Sequence, residues 1–228
     1  MESAVSFQNE PAGAQETFVI YDLETTGLYP DSDEIIQIAA VRYRSGRLCP
    51  EDAFASFARP RRPISAFIES YTGIGNHHVR DAARPEEVLG AFARWAEDAT
   101  LIAHNGHRFD SKFLTATCLR HALPAREVPC IDSIRLSKLA FGTARGTGHS
   151  LDRLIDRLRI RTDGIRRHDA RGDVAILARA VDLLRHQLGL DPSFAGVPRH
   201  TTLLPETTPS AKRPDEARRS VPQVCPME

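Results

Sequence analysis

Apolar positions along this chain follow two rhythms, and the switch between them lays out its elements. Residues 18–25 (FVIYDLET) form a nearly continuous apolar run, rich in β-branched and aromatic side chains, that stops before a Thr-Gly pair. Such a run predicts a buried strand. Residues 34–43 (EIIQIAAVRY) predict a second strand, and 53–60 (AFASFARP) a third that ends at a proline. The Ser45-Gly46 turn between them is short, which implies an antiparallel pair. Further short apolar runs at 101–105 and 129–134 make five strands. Between the strands the period changes to that of a helix. Pro85 opens a segment whose Val88, Phe92, Trp95 and Ala96 share one face, which places Trp95 in the core. Residues 110–121 predict a helix with Phe113, Leu114, Thr117 and Cys118 on one side. Ser150 is a suitable N-cap for a helix carrying Leu151, Leu154, Ile155 and Leu158. A last helix is expected over about 170–188, with Gly189 at its C-terminal end.

Composition divides the chain. Residues 1–16 lack apolar periodicity and are expected to be a flexible N-terminus; residues 17–190 form one α/β domain. Seven of the 15 prolines lie between 192 and 226, so 191–228 is expected to be a disordered tail. Formal net charge is zero, so the overall basic footprint of many nucleic-acid binders is missing. Residues 17–190, however, carry 25 basic and 22 acidic side chains, a small positive excess that metal neutralisation of some acids would enlarge. Cys49, Cys118, Cys130 and Cys225 show neither C-x-x-C spacing nor disulfide density. No apolar run approaches the ~18 residues of a membrane span, and none resembles a signal peptide. A reduced, cytoplasmic protein that avoids membranes is expected.

The chemistry concentrates in three short segments. Asp22 and Glu24 are two apart on the first strand and so point to one face. Two neighbouring carboxylates repel unless a cation lies between them, and a divalent ion with oxygen ligands is the simplest neutraliser. Asp110 alone reads as a helix cap. Its place after a short strand and the His104-Asn105-Gly106 turn puts it at a strand-to-helix edge, where catalytic groups of α/β sheets collect. In RRHDARGD, Asp173 belongs to the first turns of the last helix and His168 to the preceding loop. An imidazole there can take a proton from water, since its unperturbed pKa is about 6.5.

These segments resemble the DEDDh family of 3′–5′ exonucleases, above all the proofreading exonuclease of bacterial DNA polymerase III. The run V-I-Y-D-L-E-T-T-G-L is similar to that family's first motif, His104-Asn105 through Asp110 to its second, and His168-x4-Asp173 to its third. Residues 33–42 resemble its second strand, and Tyr71-Thr72-Gly73-Ile74 its L-T-G-I turn. The second motif, H-N-G-H-R-F-D, is one residue longer than in the proofreading subset and looks like that of the three-prime repair exonucleases.

The resemblance implies a ribonuclease-H-like fold with a mixed five-stranded sheet. It implies that Asp22, Glu24, Asp110 and Asp173 bind two Mg2+ or Mn2+ ions and that His168 is the general base. The expected product is a nucleoside 5′-monophosphate, released from the 3′ end of single-stranded or frayed DNA. Trimming of RNA 3′ ends is an alternative with the same site. A non-catalytic nucleic-acid-binding or polymerase-docking module is another, but it would have a damaged site. Thr25, Thr26 and Tyr29 are candidates for the terminal nucleotide's pocket, although plain turn chemistry also accounts for the threonines. Arg166 and Arg167 are candidates for phosphate contacts, against the simpler reading of a solvated loop. Neither they nor Arg59, Arg61 and Arg62 come with interleaved aromatics, so no single-strand track is evident. A polymerase or sliding clamp is a candidate partner: Gln187-Leu188-Gly189-Leu190 is similar to the start of a clamp-binding peptide. Asp191 stands where that peptide would have an aromatic, and a helix ending at Gly189 is the simpler reading.

Overall fold

Thirteen elements in the computed structural model build a three-layer α/β arrangement; the structure describes residues 16–207. β1 (Thr17–Thr25), β2 (Ile35–Arg44) and β3 (Arg47–Phe57) form an antiparallel meander. α1 (Ala66–Thr72), α2 (Asn76–Val79) and α3 (Pro85–Ala96) follow. Next come β4 (Thr100–Ala103), α4 (Asp110–Arg120), β5 (Ala125–Asp132), α5 (Ser133–Phe141), α6 (Leu151–Leu158), α7 (Ala170–Gln187) and β6 (Arg199–Pro205). The sheet order is β3-β2-β1-β4-β5-β6, with β4 parallel to β1 and to β5. β1 therefore lies in the middle, flanked by an antiparallel and a parallel neighbour.

Period-2 alternation on β1 sorts its side chains between two cores. Val19, Tyr21 and Leu23 pack with Val88, Leu89 and Phe92 of α3 and Phe113 and Leu114 of α4. Phe18 and Ile20 pack on the opposite face with Leu177, Val181 and Leu184 of α7, Leu136 of α5 and Leu154 of α6. Asp22 and Glu24 continue that second row, so they emerge on the α7 side of the sheet. Phe18 through Tyr21 are fully buried. Each such side chain contributes about 1.5–3 kcal/mol, enough to hold a strand end that carries two repelling acids.

Two expectations change. The sheet has six strands, not five, because residues 199–205 pair antiparallel with β5 along Ala125–Ile131. The ordered domain thus runs past 190, and a tail beginning at 191 does not describe 191–207. Burial explains the sixth strand: Leu204 and Phe194 are fully buried, and Thr202 hydrogen-bonds Ser111 of α4. Residues 1–15 and 208–228, with Cys225, lie outside the described residues. β3 begins at Arg47 and β5 at Ala125, both upstream of the apolar runs that announce them. α3, α4, α6 and α7 begin where the apolar periodicity places them, with Ser150 accepting the amide of Arg153; Asp110 is the first residue of α4 and not its cap, which is Phe109. Leu188 and Leu190 at the end of α7 pack against the core, in keeping with a helix ending at Gly189. Among the described residues no helix is long and apolar enough to cross a membrane.

Candidate active site

The C-terminal end of β1, the start of α4 and the start of α7 meet at one sheet edge. Ligand oxygens of Asp22, Glu24 and Asp173 lie within 4.8 Å of one another. Asp110, the first residue of α4, is buried beside them, and its Oδ1 has no hydrogen-bond partner among the described residues. The loop after β4 delivers it. Because β4 runs parallel to β1, their C-terminal ends adjoin, the usual place for ligands in such sheets.

The start of α7 is held from the other side. Gln37 of β2 accepts the amide of Ala170 at 2.9 Å and donates to the N-cap residue Asp169 at 3.3 Å. Gly172 is required here: a Cβ would lie 2.1 Å from the Arg166 carbonyl oxygen, where the preceding loop crosses the helix. That close packing brings the loop over Asp173. The His168 amide donates to Asp173 Oδ2 at 3.3 Å, and the Arg167 guanidinium donates to Oδ1. Arg167 also pairs with Asp152 of α6 at 2.9 Å.

The electrostatics are those of an acid cluster awaiting positive charge. Burial pushes Glu24 up to about 8, helped by repulsion from Asp173, Asp169 and Asp110. Burial also raises Asp110 to about 7, while backbone hydrogen bonds at its own amide and at Leu23 pull the other way. Asp22 is held well above the usual carboxylate range by burial, then by Asp110 and Glu24. Four carboxylates are a hard oxygen donor set that suits Mg2+ or Mn2+. The partnerless Asp110 oxygen and the mutual repulsion both fit a divalent cation.

His168 borders the same cleft, which encloses about 600 Å³. Its backbone takes a positive φ of 59°, uncommon for a residue with a Cβ. Its ring stacks on Tyr71 of α1, with centroids 4.1 Å apart and planes 29° apart. Thr25 and Thr26 line the cleft but spend their hydroxyls on the turn: Thr25 on the Gly27 carbonyl at 2.5 Å, Thr26 on Asp33 at 3.2 Å. Tyr29 is 73% exposed and does not border this cleft. Arg166 is exposed, and its guanidinium lies over Gly73. Arg167 is engaged with two carboxylates instead of standing open to phosphate.

One feature of the cleft escapes the sequence reading. Phe67 and Tyr71 sit four apart on the outer face of α1, 73% and 54% exposed, stacked with rings 8° from parallel. With Leu28 and His168 they make an apolar and aromatic mouth to the acid cluster. The signal was available: Ser65 and Gly73 cap the helix at its two ends, and an i, i+4 aromatic pair falls on the stripe beside the buried Ile68 and Thr72.

Fold and site together define a three-layer α/β domain with a carboxylate centre at the C-terminal end of β1. The chain belongs to the Exonuclease (RNase T) family, whose sequence profile matches residues 19–181. It is similar to a DNA polymerase III subunit epsilon-like protein of Rhodobacter capsulatus, 41% identical over 167 residues, 72% of this chain and 23% of that one. It is also similar to a PolC-type DNA polymerase III of Bacillus cereus, 37% identical over 147 residues, 64% of this chain and 10% of that one. The chain thus spans less than a quarter of the length of these relatives. The structure superposes on the nuclease domain of 3′hExo, a DEDDh family member bound to rAMP, with TM-score 0.65, 25% identity, and coverage of 78% and 94% of the two chains. Exonuclease X in complex with 5′ overhanging duplex DNA shares the fold, with TM-score 0.60, 23% identity, and coverage of 77% and 95%.

Proposed function

We propose that this protein is a metal-dependent 3′–5′ exonuclease that removes nucleoside 5′-monophosphates from single-stranded or frayed DNA ends. The observation that carries the reading is the approach of Asp22, Glu24 and Asp173 to within 4.8 Å at one strand end, with buried Asp110 beside them and His168 on the same cleft. In this reading the four carboxylates hold two Mg2+ or Mn2+ ions. When bound, such ions supply charge stabilisation to the attacking and leaving oxygens of an in-line displacement. His168 accepts the proton of the attacking water at an imidazole nitrogen. Tyr71 restricts the ring of His168 by stacking on it. Phe67, Tyr71 and Leu28 exclude water from one side of the cleft and offer the terminal base an apolar surface, a contact type worth about 1–3 kcal/mol per base. Thr25 and Thr26 shape the turn under that nucleotide, and Arg166 meets phosphates of the incoming strand.

The DNA preference draws support from the polymerase III relatives, and association with a replicative polymerase or its clamp, in proofreading or repair, belongs to the same proposal. So does a cytoplasmic location, in keeping with Cys49, Cys118 and Cys130 being free thiols. RNA is the second reading, since the 3′hExo domain is described with rAMP bound. A substrate panel of single-stranded, duplex and mismatched DNA, RNA and dinucleotides separates the two. Faster release from DNA 3′ ends is expected, and a preference for RNA would overturn the assignment of substrate.

A further inference from the structure

β6 lies beyond residue 181, where the match to the exonuclease family ends, yet its side chains reach the helix that begins with Asp110. They converge on Ser111, the next residue, which is buried and held at two atoms. His200 Nε2 and Ser111 Oγ are hydrogen-bonded at 2.9 Å, and Thr202 Oγ1 donates to the Ser111 carbonyl at 2.7 Å. One turn on, Thr115 Oγ1 accepts the amide of Leu203 at 3.2 Å and is hydrogen-bonded to Thr202 at 3.1 Å. The Cys118 thiol donates to the Leu203 carbonyl at 3.7 Å. Ser111, Thr115 and Cys118 recur at helical spacing, so one stripe of α4 is bonded to β6. Bonds spread along a stripe resist both sliding and rotation of the helix. The first turn needs that restraint. Helix ends fray, and a capping side chain is the usual remedy. The N-cap residue of α4 is Phe109, which makes no side-chain capping bond. Asp110 Oδ1 has no partner among the described residues, so its place follows from where the first turn stands.

We propose that β6 positions Asp110 for the metal site, with His200 and Thr202 acting as positioning residues through Ser111. This rests on the reading of Asp110 as a metal ligand. Such ligands must be held to about 0.5 Å of their productive geometry. Outer groups that orient them typically change metal affinity or activity about 10- to 100-fold when removed. Loss of the two bonds to Ser111 frees the first turn of α4, and Asp110 moves with it. Asp22, Glu24 and Asp173 stay in place, because they belong to β1 and α7 and make no use of β6.

The test compares the double variant His200→Leu with Thr202→Val, which keeps bulk and removes both bonds, with His200→Gln, whose side-chain amide nitrogen stands in for Nε2. Circular dichroism melts set a temperature at which every variant is folded. Mn2+ binding is then read from the electron paramagnetic resonance of the free ion, without substrate. The double variant is expected to bind Mn2+ about ten-fold more weakly, and His200→Gln to keep most of the affinity. In steady state, kcat of the double variant is expected to fall while KM for a single strand hardly moves. Where the double variant does not fold, Ser111→Ala and His200→Leu, made singly and together, replace it. The pair is expected to cost no more Mn2+ affinity than the larger single loss, and additive losses would overturn the shared route through Ser111. A lowered melting temperature with wild-type Mn2+ affinity and kcat would make β6 a structural strand only and overturn the proposal. A wild type that binds Mn2+ through these contacts but hydrolyses no strand would overturn the exonuclease reading and leave the positioning role standing.

Discussion

The imidazole of His168 rests against the ring of Tyr71 at 4.1 Å between centroids. One belongs to a loop and the other to α1, so the stack joins two parts of the chain that sequence separates widely. It gives a histidine on a strained backbone, with φ of 59°, a flat surface that limits its rotation. Tyr71→Ala is expected to lower kcat by about 10- to 100-fold, the scale of a misplaced catalytic group, and Tyr71→Phe to retain most activity. Steady-state kinetics on a 3′-labelled strand checks this. Equal rates for the alanine variant would remove Tyr71 from any positioning role.

His168→Ala should reduce kcat by at least about 10²-fold, the usual scale for a general base. Strand binding, measured by anisotropy, should hardly change, because the base acts on water. Near-wild-type turnover would transfer the proton-accepting role to another group.

Arg167 is bonded to Asp173, one of the proposed metal ligands, and acts as a stand-in cation. Arg167→Ala is therefore expected to destabilise the metal-free protein by about 1.5–3 kcal/mol, the range for a hydrogen bond to a charged group. The same change frees Asp173, so the Mn2+ concentration needed for thermal stabilisation should fall. Calorimetric melts across a Mn2+ titration read both effects; a variant needing more Mn2+ than wild type would contradict the competition.

The raised carboxyls give the metal-free protein a defined pH dependence. Glu24 is pushed up to about 8 and Asp110 to about 7 in the folded state, against unfolded values near about 4. The folded state therefore binds more protons than the unfolded one between these limits. The stability from these groups is full below about pH 4 and is lost as pH rises toward 8. Melting in EDTA should thus weaken from pH 5 to pH 8. Glu24→Gln should raise Tm at pH 8 by at least about 2–4 °C, the shift for 1 kcal/mol in a domain of this size. Mg2+ or Mn2+ should stabilise wild type most at the alkaline end. A melting temperature that climbs steadily through this range in EDTA would show that the acids do not repel as described.

How much of this was readable depends on the range of each signal. Asp22 and Glu24 were legible because a strand's period of two is a local property. Asp110 and Asp173 were legible as positions at helix starts because the change from a strand's period to a helix's is also local. β6 was not, since Arg199–Pro205 lies among prolines and earns its place by pairing with β5, about seventy residues earlier. Arg167 offered either a solvated loop residue or a phosphate contact, because its partners Asp152 and Asp173 are fixed only by how α6 and α7 pack. Tyr29 looked like a pocket residue by proximity to Glu24, but the turn stapled by Thr26 and Asp33 carries it out to solvent.

The central claim is that four converging carboxylates make a 3′-directed nuclease. Its most direct measurement follows a 5′-labelled single strand with Mn2+, comparing wild type with Asp22→Asn. Wild type is expected to shorten the strand one nucleotide at a time from its 3′ end, releasing nucleoside 5′-monophosphates. Asp22→Asn, folded by circular dichroism, and wild type in EDTA should both leave the strand whole. An intact strand with metal-loaded wild type, or equal shortening by Asp22→Asn, would contradict the account.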